Sequence, residues 1–103
     1  MPENILHIVE GSALTAQQKK DLLNRLARIE GQLRGVQKLI ALADKPADCD
    51  AVAQQMAAAR KALDRSFVQL LANSLQTQTA NAQDLAEAQA AAGKLAAMLD
   101  KFA

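Results

Sequence analysis

The chain has 103 residues, with twelve Lys and Arg against eleven Asp and Glu, one His, one Cys, and neither Trp nor Tyr. A single cysteine excludes an intrachain disulfide, and no apolar run approaches the roughly 20 residues that a membrane-spanning helix needs. With no signal-peptide pattern either, the protein is read as cytoplasmic and its thiol as reduced at rest. Half of the residues are hydrophobic, but Ala is the largest component of that half and aromatics make up only 2%. Ala favours helix and fills little volume. A protomer of this size and composition is short of core, so a homo-oligomer that shares a core between copies is expected.

Residues 1–14 form a leader, expected to be only partly ordered, with a small apolar cluster, Ile5, Leu6, Ile8 and Val9, closed by Gly11 and Ser12. Docking on a neighbouring surface accounts for such a cluster. Two residues keep a chemical role open. Pro2 becomes a secondary amine once Met1 is removed, and His7 is the one imidazole of the chain.

Thr15 is an N-cap candidate, and the first helix is predicted from about Ala16 to about Ala43. Its apolar positions Leu22, Leu26, Ile29, Leu33, Val36 and Ile40 alternate steps of four and three, the seam of a helix lying along another helix. Lys19, Lys20, Arg25, Arg28, Arg34 and Lys38 face only Asp21 and Glu30 in charge. That surface calls for a polyanion or an acidic neighbour. Gly31 and Gly35 cost about 1 kcal/mol each relative to Ala inside a helix, so each marks either a close approach or a tolerated surface glycine.

The acidic stretch Asp44–Asp50 reads as a tight connection: Pro46 stops the first helix and Asp48 can cap the second, giving an antiparallel hairpin. The second helix is predicted from about Cys49 to about Leu75, with Val52, Met56, Ala59, Leu63, Phe67, Leu70 and Leu71 inward. Arg60, Lys61 and Arg65 make its outer side basic. Asn73–Thr79 is polar and reads as fraying and connection. The third helix is predicted from near Asn81 to about Lys101, with Asp84 and Glu87 at its positive end and a weak stripe of Leu85, Leu95, Leu99 and Phe102. The fold class is all-α, with residues 15–103 as one domain.

Catalytic apparatus is not visible. The chain has no Cys-x-x-Cys, no paired histidines and no phosphate-binding glycine loop, so a self-contained zinc site is excluded and no enzyme is expected. Two features remain. One is the basic face shared by the first two helices; the other is Cys49, where a helix start favours thiolate while Asp48 and Asp50 oppose it.

The residues Arg28-Ile29-Glu30-Gly31-Gln32-Leu33-Arg34-Gly35-Val36, then Cys49, Gln55 and Ala59-Arg60-Lys61-Ala62-Leu63-Asp64, resemble the copper-sensitive operon repressor family over about residues 15–80. That family includes metal sensors and thiol-based sensors of formaldehyde and persulfides. The resemblance implies that two hairpins form a four-helix bundle dimer and that dimers pair into a flat tetramer. It implies a repressor that binds double-stranded operator DNA through basic residues and releases it when an effector acts. Arg28, Arg60 and Arg65 fall on its DNA-binding positions, and charge pattern adds Arg25 and Arg34. Cys49 matches its sensor cysteine and is a possible ligand for a metal ion such as Cu(I) or Ni(II), with Pro2 and His7 as weaker sensor candidates and His7 also as a weak metal ligand. The positions that complete a Cu(I) or Ni(II) site are implied to fall near Ser74 and Gln78, whose hydroxyl and amide are poor ligands for either ion. A helical interaction module that has lost the sensor is the alternative.

Overall fold

The computed structural model describes residues 13–102. Among them are three α-helices and no strands: α1 (Ala16–Leu42), α2 (Pro46–Asn81) and α3 (Leu85–Phe102). The described chain divides into two compact units, Leu22–Phe67 and the remainder, residues 13–21 with 68–102.

Each helix start is fixed by side chains that satisfy its orphan amides. At α1, Thr15 Oγ1 accepts from the Gln18 amide at 3.0 Å, and Gln18 Oε1 accepts from the Thr15 amide at 2.8 Å. This reciprocal pair is a capping box, so Thr15 caps the helix as expected. At α3, Asp84 Oδ1 accepts from the Glu87 amide at 2.9 Å, and Glu87 Oε1 accepts from the Gln83 amide at 2.8 Å. The helix therefore begins at Leu85, a few residues later than predicted.

The start of α2 differs from the sequence reading. Pro46 opens the helix rather than ending α1, which has already stopped at Leu42. A proline at the first helical position loses no hydrogen bond and has its φ preset. Asp48 consequently sits inside the first turn, where its Oδ2 accepts from the amides of Asp44 and Lys45, each at 3.0 Å. It ties the three-residue connection down from within the helix.

The end of α2 also differs: the helix continues through the polar run to Asn81. Two of its hydroxyls are bonded within the helix, since Thr79 Oγ1 donates to the Leu75 carbonyl at 2.7 Å and Gln78 Nε2 donates to Ser74 Oγ at 2.7 Å. Thr77 Oγ1 donates to Gln18 Oε1 at 2.7 Å, joining α2 to the first turn of α1 within one unit. Buried partners thus hold a segment that composition alone assigns to a connection.

In the unit Leu22–Phe67, α1 and α2 form a hairpin across residues 43–45. Leu22, Ile29 and Val36 are buried at seven-residue intervals, together with Ala59 and Ser66 on α2. The expected seam is therefore only half used within one chain. Leu33 is 48% exposed and Leu63 51%, and Leu26, Ile40 and Met56 are exposed as well. The inward side of α2 is correspondingly smaller and more polar than predicted. In the other unit Leu95 is buried with Asn73, Ser74 and Thr77. There Val68, Leu71 and Leu75 of α2 and Leu95 and Leu99 of α3 border an apolar groove of about 330 Å³. Leu85, Leu99 and Phe102 of the predicted α3 stripe are exposed.

Candidate nucleic-acid interface

Arg25, Arg28 and Gln32 follow one another by three and four positions on α1, so they share a face. With Ile29 of the same helix and Ala62 and Arg65 of α2 they line a cleft of about 280 Å³ inside the unit Leu22–Phe67. Ile29 is buried and Ala62 half-buried, giving the cleft an apolar floor. Arg25 is half-buried, whereas Arg28 and Arg65 are exposed. Among the described residues none of these three guanidinium groups has a carboxylate partner, and no acidic residue lines the cleft. Among the described residues, then, no ion pair ties up these three side chains.

The other two arginines singled out from the sequence stand apart from the cleft. Nine positions beyond Arg25, Arg34 is out of phase by about half a turn. Its Nη2 lies 3.8 Å from the position a Cβ on Gly31 would take, so the side chain folds back along its own helix. Nothing lies within 4 Å of such a Cβ on Gly35. The close approach that the two glycines could have marked is therefore not made within the described chain. Arg60 is exposed on α2 and does not line the cleft. Gln32 was missed by charge-based reading, although its spacing of four from Arg28 and seven from Arg25 is the signal that places it there.

Cys49 is a free, exposed thiol at the fourth position of α2. The neighbouring Asp48 carboxyl is held below the usual aspartate range by the amide hydrogen bonds from Lys45 and then Asp44, with slight burial opposing them. Pro2 and His7 lie outside the described residues.

The described residues of one chain hold no self-contained metal centre. Among them no group of three or more His, Cys, Asp or Glu side chains converges. Ser74 is buried and accepts the amide of Gln78, so these two positions satisfy each other rather than an ion. Among the described residues no helix is long and apolar enough to cross a membrane.

Fold and site together define an all-helical protein with a cationic cleft on a helical hairpin and one exposed thiol. The family model described as metal-sensitive transcriptional repressor matches residues 18–101. The chain belongs to that family, a family of transcriptional repressors and not of enzymes. No curated protein and no solved structure matches it.

Proposed function

We propose that this protein is a DNA-binding transcriptional repressor that releases its operator when an effector acts at Cys49. The observation that carries the reading is the cleft of Arg25, Arg28 and Arg65, three cations with no acidic partner among the described residues, in a member of a repressor family. Contacts from these residues, and from Arg34 and Arg60 outside the cleft, go to backbone phosphates of double-stranded DNA, which makes affinity steeply salt dependent. Residues 15–103 act as one DNA-binding and sensor domain. The exposed half of the seam is covered by a second copy in a four-helix bundle, and dimers pair into a flat tetramer that works in the cytoplasm.

Thiol-reactive small molecules suit Cys49 better than a metal, because an exposed thiol needs no further donors. With formaldehyde the sulfur adds to the carbonyl carbon, the C=O π pair moves to oxygen, and the thiol proton ends on that oxygen as a hemithioacetal. Persulfides are the second thiol-directed class. Cys49 and Arg65 lie on one uninterrupted helix, so a shift of its first turn is carried toward the cleft. The mutual hydrogen bond of Ser74 and Gln78 favours a second reading, an interaction module without a sensor.

Fluorescence anisotropy on DNA from upstream of the protein's own gene tests both. Wild type is expected to bind, with binding lost in the Arg28→Ala, Arg60→Ala variant, and to release on one of formaldehyde, a persulfide donor, Cu(I) or Ni(II). Unchanged affinity in that variant sinks the proposed surface. Absence of DNA binding by wild type favours the interaction module, and a response that survives Cys49→Ala removes the thiol from the mechanism.

A further inference from the structure

The cleft has more shape than a charged helix face requires. At about 280 Å³ it is near the lower end of small-ligand sites. Its walls are guanidinium groups from two helices, and its floor is Ile29 and Ala62. Guanidinium matches phosphoryl oxygens in paired hydrogen bonds, and the Gln32 amide offers a further neutral donor. An apolar floor keeps water from one side of a bound anion, which strengthens each charge contact. Three cations without an acidic partner among the described residues, set around one small cleft, call for a multiply charged anion, and chloride does not answer that demand.

We infer that Arg25, Arg28, Gln32 and Arg65 form a discrete site for a phosphoryl group, one that accepts either a DNA backbone phosphate or a free oligophosphate anion. Free pyrophosphate then competes with DNA beyond what ionic strength explains, so operator affinity responds to phosphoryl anions independently of Cys49. Binding of the free anion stands without the repressor reading, and only the competition rests on it.

Titration calorimetry of the full chain with inorganic pyrophosphate, at ionic strength held constant with chloride, tests the site directly. Saturable binding is expected, weakened at least about tenfold in Arg25→Gln and in Arg65→Gln, each of which removes charged hydrogen bonds. Lys94→Gln, which removes an equal charge on α3, is expected to bind as wild type does, and far-ultraviolet circular dichroism confirms that every variant stays helical. In parallel, pyrophosphate is expected to displace DNA more strongly than chloride at equal ionic strength. Absence of pyrophosphate binding, or equal binding in all three variants, overturns the inference even if DNA binding persists. Pyrophosphate binding without DNA binding upholds the anion site and rejects the repressor reading.

Discussion

In the unit Leu22–Phe67, apolar or small side chains are buried at regular intervals, and the charges that remain outside converge on a cleft. In the other unit, three of the buried side chains on α2 are Asn73, Ser74 and Thr77, and an apolar groove stays open beside them. Regular burial leaves a seam that a second helix pair can complete. Polar burial instead depends on individual hydrogen bonds, each with a specific partner, and it lengthens α2 by more than a turn beyond its apolar pattern. The first arrangement leaves an apolar stripe and a cationic cleft exposed; the second fixes the local geometry of one chain.

The largest expected effect tests the half-used seam. Leu33→Glu combined with Leu63→Glu places carboxylates on the exposed stripe and removes about 2 kcal/mol of burial per leucine if a second copy covers it. Sedimentation velocity is expected to show a fall from oligomer to monomer, and an unchanged distribution would leave the stripe without a partner copy.

Next comes Asn73, 7% exposed, whose Nδ2 has no hydrogen-bond partner among the described residues. Replacing it with leucine of similar shape removes an unsatisfied buried donor, and a gain of about 1–3 kcal/mol is expected in urea unfolding. A loss of stability instead would show that the amide is satisfied in the assembled protein.

Thr15→Ala removes the hydroxyl half of the α1 capping box and should cost about 1 kcal/mol, which lowers Tm by roughly 4–8 °C for a domain of this size. A Tm within experimental error of wild type would mean that this end of α1 frays already.

The smallest effect concerns Asp48. Its folded-state pKa is depressed by the Lys45 and Asp44 amides, so its contribution is present above the unfolded value of about 4 and is lost as pH falls through the folded value. Asp48→Ala is therefore expected to lower Tm modestly at neutral pH, with the gap to wild type closing in acid. A gap that persists in strong acid, with the carboxyl protonated in both states, would mean that the side chain acts by packing and not by charge.

Much of the fold was legible because its signals are local. The seam of α1, the Thr15 cap, the hairpin and the Cys49 position follow from spacing and residue type. The two misread ends of α2 have local causes that composition obscures. Pro46 both ends and begins helices in sequence statistics, and only the fold shows that α1 had stopped at Leu42. Asn73–Thr79 looks like a linker until Gln18 is seen to accept the Thr77 hydroxyl from 59 residues away. Of the five arginines singled out, charge could not separate Arg25, Arg28 and Arg65 from Arg34 and Arg60.

By itself the sequence determined an all-helical chain, its family and the excess of positive charge on its first two helices, because periodicity, capping and composition act over a few residues. Which half of the seam is buried, which arginines share a cleft and why the polar run stays helical were decided by tertiary structure. Those outcomes depend on which faces meet when distant segments pack, and burial and hydrogen bonding between such segments leave no mark in local spacing.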